Sequence, residues 1–168
     1  MERGRLSRVA MGPAFITVIG QCMGAGDTRA AEYYFKKLMK ISFIFAVLWN
    51  GLVFVAVPIL MQFYALADET KHLVILLVLI HNVANAVVFP FADPLGKGLR
   101  AAGDVKFTTI VSLITTIGVR LIFSVLFGIT FNLGVIGIAF AMCLDWTIRG
   151  IIFLWRFKQG KWKTFQVI

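Results

Sequence analysis

A chain of 168 residues that is 60% hydrophobic and only 15% charged, with a mean hydropathy of +0.88, carries more apolar surface than one water-soluble core of that size can hide. An ordinary soluble enzyme or binding domain is thereby excluded, and the bilayer is the simplest solvent. The net charge of +9 does not indicate nucleic acid, because the cations stand at the ends of apolar runs rather than in patches interleaved with aromatics. Cys22 and Cys143 have no second Cys or His at ligand spacing, so no zinc or other metal site, no disulfide framework and no cofactor is expected.

In chain order, Arg3, Arg5 and Arg8 precede an apolar stretch, 9–23, that Gly12, Pro13 and Gly20 interrupt. At 1.5 Å per residue it reaches only about 22 Å, short of the roughly 30 Å hydrocarbon core, and reads as the tail of a truncated helix. A secretory signal peptide is the competing reading, opposed by the Gly12-Pro13 break in its core. Asp27 or Thr28 then caps a short amphipathic helix through Lys37, expected to lie along the membrane surface. Residues 41–66 form a span with Ser42, Asn50 and Gln62 as its polar members and Pro58 placed to kink it. Asn50 reads as a helix–helix hydrogen bond rather than a ligand.

After a short turn at 67–72, residues 73–96 form the next span. The charged island from Lys97 to Phe107 follows, which hydrocarbon cannot accept and which therefore connects two helices at an interface. Residues 107–131 and 133–157 are the last two spans, joined at Asn132 and Gly134, and 158–168 is a tail. Trp146, Trp155 and Trp162 read as interfacial anchors. The connections on one side carry eleven Lys and Arg (29–40, 97–106, 156–163), those on the other a single one. The positive-inside rule then puts the first connection, the central island and the C-terminus in the cytoplasm. Arg3, Arg5 and Arg8 fit only if 9–23 does not span alone.

Polar residues inside the spans are the functional candidates, since each costs free energy there without a cavity or a partner. Asn82, Phe89, Asp93 and Arg100 fall within about 20° of one line at 100° per residue, with Asn85 about 60° to one side. Pro90 and Pro94 interrupt backbone hydrogen bonding on the same helix. Asp93 reads equally as a cation or proton carrier and as an interfacial residue paired with Lys97, and His81 as a packing residue. Thr109, Ser112, Thr116 and Arg120 form a second stripe, with Gly118 allowing close approach of another helix. Arg120 must either close a buried ion pair or line the pathway. Asp145 and Arg149, one turn apart, read as a structural ion pair.

The motifs Gly20-Gln21 with Gly24-Ala25-Gly26-Asp27 and Ala30, Pro94 with Gly98-Leu99-Arg100-Ala101-Ala102-Gly103-Asp104, and Arg120 come first in the chain. Gly134 with Gly137 and Ala139, Asp145-Trp146 with Arg149, and Arg156-Phe157 with Gly160-Lys161-Trp162 follow. In order and spacing the set resembles the closing third of a bacterial MATE (multidrug and toxic compound extrusion) transporter. The resemblance implies an all-α, polytopic membrane helix bundle of twelve helices in two lobes. Small organic or cationic drugs would be exported against inward sodium ions or protons across the bacterial inner (plasma) membrane. On that plan the chain is a partial C-terminal lobe, the end of one helix plus four transmembrane helices, unlikely to transport without the missing N-terminal lobe. Gln21, Gly24, Gly26, Arg100, Gly103 and Asp104 would be cytoplasmic loop motifs.

The sodium-coupled branch has a carboxylate about eleven residues before the loop Arg. That position is Phe89 here, so Asp93 is a substitute on geometry alone. The pathway candidates are thus Asn82, Asn85, Phe89, Asp93, Thr116 and Arg120, and no catalytic residues are expected. The alternatives are a lipid-linked oligosaccharide flippase of the same superfamily, which would line its lobe with more cations, and a non-transporting membrane scaffold. A membrane enzyme would need clustered catalytic groups.

Overall fold

A computed structural model describes residues 3–64 and 67–165, with side chains from Met11 onward. The side chains of Arg3, Arg5 and Arg8, the last two residues of the expected 41–66 span, and 166–168 of the expected tail lie outside the described residues. The described residues fold as seven helices in the order α1 (Arg3–Gly24), α2 (Thr28–Met61), α3 (Asp68–Val87), α4 (Phe89–Ala92), α5 (Pro94–Ala101), α6 (Val105–Thr130) and α7 (Gly134–Gln159). A 3-10 turn, Lys161–Thr164, follows. No strand occurs among the described residues. Helices α2, α3, α6 and α7 are long and apolar enough to cross a membrane, and α1 is a shorter apolar helix from Met11 to Gly24. The protein is a multi-pass helical membrane bundle.

Three elements differ from the sequence reading. The surface helix expected before residue 41 is not a separate element: α2 runs unbroken for 34 residues. No Gly or Pro stands between Thr28 and Ile41, and Lys36 supports the helix by pairing with Glu32 at 2.7 Å, so nothing stops it at the interface. The 73–96 span is not one helix either. Pro90 and Pro94 have no N–H to give the carbonyls four residues earlier, and the chain restarts at each, as α4 and α5. The single polar line through Asn82, Phe89, Asp93 and Arg100 is therefore divided among three helices. Finally, α6 winds wide, with π-helical turns at Thr115–Leu121 and Leu126–Thr130. No neighbour comes within 4 Å of where a Gly118 Cβ would sit, so the close helix approach expected there is absent.

Two corners with the same chemistry orient the bundle. At Gly26 (φ 73°) the Asp27 amide donates to the Cys22 carbonyl and the Gly26 amide to Met23; at Gly103 (φ 96°) Asp104 donates to Leu99 and Gly103 to Arg100. Each closes a helix with a left-handed glycine, a conformation most side chains resist. Asp27 then caps α2, its Oδ1 accepting from the Ala30 amide at 2.9 Å. Asp104 stands at the equivalent place before α6 but does not cap it with its side chain.

The best-packed region lies between these corners. Phe15 and Ile19 of α1, Phe35 of α2, Leu95 and Leu99 of α5, Phe153 of α7 and Trp162 are all buried in one cluster. Close approach depends on Gly96 and Gly98, where a Cβ would meet Phe153 at 2.5 Å and Phe35 at 2.3 Å. Trp162 is no interfacial anchor: it is fully buried, stacked on Phe157 with ring centres 5.5 Å apart, and donates to the Phe157 carbonyl at 3.1 Å. Trp155 is the outward-facing one. Away from the cluster the spans present Leu48, Val55, Ile122 and Ile151 outward, as lipid-facing helices do.

Candidate functional site

Helices α2, α3 and α7 converge around a group of amides. Asn82 Nδ2 donates to the Asn50 carbonyl at 2.6 Å, tying α3 to α2, while Asn50 Nδ2 donates within its own helix to Ala46 at 2.7 Å. The helix–helix bond expected of Asn50 thus runs through its backbone, with Asn82 supplying the side chain. Asn85 is buried and donates to the His81 carbonyl at 3.0 Å. These residues border a recess of about 340 Å³ that Trp49 and His81 also line. A smaller recess adjoins it toward the proline breaks, sharing Trp49, Asn50 and Asn85 and reaching Phe89. Trp146 packs against two of these lining residues, its ring 5.0 Å from His81 and 5.5 Å from Phe89. Asn82, Asn85 and Phe89 are therefore brought together; Asp93, Thr116 and Arg120 stand elsewhere.

Asp93 sits at the junction of α4 and α5 and pairs with Lys97 at 2.8 Å, each side chain about a third exposed. The Lys97 stem crosses α1 so closely that a Cβ at Gly12 would lie 2.8 Å from its Cδ. Farther along, Arg100 reaches Thr108 Oγ1 at 3.2 Å and Ser112 Oγ at 3.1 Å, binding the corner to α6. Asp104, nearly fully buried, accepts from Arg156 at 2.6 and 3.2 Å, and that guanidinium lies 4.4 Å from the Phe107 ring centre. This cross-helix pair occupies the carboxylate that would otherwise cap α6. Sequence distance hid it, since the partners are 52 residues apart. At the first corner Gln21, Gly24 and Gly26 are exposed. Glu32 accepts from Lys163 and Lys36, hydrogen bonds that hold its carboxyl at about 2, well below the usual range.

Between α6 and α7 lies a second polar centre. Asp145 is fully buried and takes both oxygens to Arg149 Nη2, at 2.7 and 2.9 Å. Arg149 also donates to Thr115 Oγ1 at 3.0 Å and Thr116 Oγ1 at 2.7 Å. Thr115 was not among the expected residues; adding it to the Thr116 stripe required the wide π turn that brings neighbouring positions to one partner. Arg120 is half-buried on that turn, and no acid pairs with it among the described residues.

The MatE family model matches residues 8–126, from α1 through most of α6. The chain belongs to the MatE family. Members of the MatE family are membrane transporters rather than enzymes. A curated relative, "Uncharacterized transporter YisQ" of Bacillus subtilis (strain 168), is 38% identical over 66 residues, 39% of this chain. That match spans 14% of the relative's own length. No solved structure matches.

Proposed function

We propose that this MatE-family chain forms part of an exporter of small organic cations, driven by inward sodium ions or protons and working with a second helical lobe outside these 168 residues. The observation that carries the reading is the recess of about 340 Å³ between α2, α3 and α7. It is large enough for a small organic molecule, and it combines an aromatic face at Trp49 with amide oxygens of Asn50, Asn82 and Asn85, a lining suited to a cation with an apolar body.

Two carboxylates stand at membrane depth, and their surroundings support different roles. Asp145 is fully buried with its partner held by three side chains, whereas Asp93 has one partner, Lys97, is partly exposed and sits between two proline breaks. Asp93 is the one able to exchange Lys97 for a coupling ion. In the full-length exporter containing this chain, Asp93→Asn is expected to abolish ion-driven efflux with the membrane-inserted amount unchanged. Efflux at the wild-type rate, normalised to inserted protein, would return Asp93 to a purely interfacial role.

The membrane is proposed to be the bacterial inner membrane, with both glycine corners on the α1–α2 and α5–α6 side and the tail in the cytoplasm. The support is the eleven-to-one distribution of cations. Single cysteines placed at Lys71 and Asn132 should then label from outside the cell, and those at Gly103 and Lys161 only after permeabilisation. Labelling of Gly103→Cys in intact cells overturns the orientation.

A further inference from the structure

Gly12 of α1 is buried, and the three atoms nearest the position of an added Cβ all belong to Lys97 of α5: Cδ and Nζ at 2.8 Å and Cε at 3.2 Å. The end of the lysine thus curls around the place where any other residue would carry its side chain. The other close glycines of the bundle are different. At Gly96 and Gly98 a Cβ would meet aromatic rings, and at Gly137 the backbone of α6, groups that fix how near two helices come. Lys97 fixes no such spacing, because its four-carbon stem can swing aside at little cost. What it loses by swinging is Asp93.

A lysine at a membrane boundary ordinarily extends its amine into water. Lys97 instead turns back along its own helix, Nζ 2.8 Å from Asp93 Oδ2, in the acid-before-base order that suits a helix. Both side chains are about a third exposed, so the attraction between them is weak and geometry decides whether the pair is kept. The notch at Gly12 supplies that geometry. The amine and the carbons before it lie against bare α1 backbone, with room for the bond to Asp93 and none for a methyl group. Glycine is otherwise a poor choice inside a helix.

We infer that Gly12 is a positioning residue, whose missing side chain holds the Lys97 amine on Asp93. Combined with the reading of Asp93 as the carboxylate that exchanges Lys97 for a coupling ion, on which this step rests, the notch sets how strongly the ion must compete. Filling the notch loosens the internal cation without touching the carboxylate.

Carbodiimide treatment of the purified full-length exporter tests the positioning, since the reagent joins a carboxylate and an amine in contact as an amide and carries off the water as a urea. The Asp93–Lys97 amide is measured by mass spectrometry against the Glu32–Lys36 amide, a pair of the same spacing on α2. Gly12→Ala, and equally Gly12→Ser, should lower the Asp93–Lys97 yield about threefold, the change that a partly exposed ion pair is worth. The Glu32–Lys36 yield and the thermal midpoint should not change. A wild-type yield in both variants overturns the assignment, and so does a fall matched at Glu32–Lys36, which would make Gly12 a general packing residue. In proteoliposomes, ethidium efflux driven by a sodium or a proton gradient should reach half its maximal rate at an about threefold lower concentration of the driving ion in Gly12→Ala, with the maximal rate kept. A lowered amide yield with an unchanged ion requirement would keep the notch and remove Asp93 from coupling. Wild-type protein that moves ethidium under neither gradient would count against the exporter reading, while the amide yield still decides on Gly12.

Discussion

Asp145→Ala is expected to cost about 3–5 kcal/mol of stability, because it leaves Arg149 charged in a helix interface with only the Thr115 and Thr116 hydroxyls as partners. Hydroxyls can accept hydrogen bonds from the guanidinium but cannot neutralise it. At membrane depth, replacing the carboxylate leaves a net positive charge between α6 and α7. The double variant Asp145→Leu with Arg149→Met removes both charges and fills a similar volume, so it should regain most of the loss. The check is the thermal midpoint in detergent, with the folded fraction followed by size-exclusion chromatography. A single variant as stable as the double would mean that the pair contributes nothing to holding α6 against α7.

Gly137→Ala is the second large effect. An added Cβ there would lie 2.6 Å from the Phe127 carbonyl carbon and 2.8 Å from the Gly128 amide nitrogen, contacts with backbone that no rotamer change relieves. Helices α6 and α7 must move apart at the wide turn Leu126–Thr130, and overpacking of this kind costs about 1–3 kcal/mol. Gly118→Ala on α6 is the matched control, with nothing within 4 Å of its Cβ position, and should leave the thermal midpoint unchanged or raise it slightly, alanine being the better helix former. Equal destabilisation by both would show that glycine matters in α6 and α7 for flexibility rather than for closeness.

What the sequence made legible follows from which forces act locally. The four spanning helices were readable because length and hydropathy alone decide insertion, and Asp27 was readable as a cap because capping acts across three residues. The missing N–H groups of Pro90 and Pro94 were likewise visible, being covalent, but not that the 73–96 span would divide into separate helices there. Hydropathy marks where polarity changes, not where a helix stops, and so the run from Lys36 into α2 was misjudged as a boundary. Trp162 was misassigned for a related reason: an aromatic beside lysines looks interfacial until its neighbours Phe35 and Phe157 are known.

For the site, residues sharing a helix face could be grouped but not matched across helices. Asn82 and Asn85 were identified, yet their meeting with Trp49 and Asn50 depends on how α2 packs on α3. Pairs such as Asp104 with Arg156 leave no local signal at all. The expected stripe ending at Arg120 was also drawn with a 3.6-residue period, which the π turns of α6 do not keep.

The unbroken length of α2 has a mechanical consequence. Its 34 residues extend about 51 Å, against a hydrocarbon layer of about 30 Å, so one end stands well clear of the bilayer as a rigid lever arm. The arm is riveted at that end, by Phe35 among Phe15, Phe157 and Trp162 and by Glu32 to Lys163. A tilt of about 10° at the bilayer midplane swings its tip sideways by about 6 Å, and the C-terminal turn swings with it. Any tilt of α2 inside the membrane would thereby be geared up into a lateral stroke in the water outside.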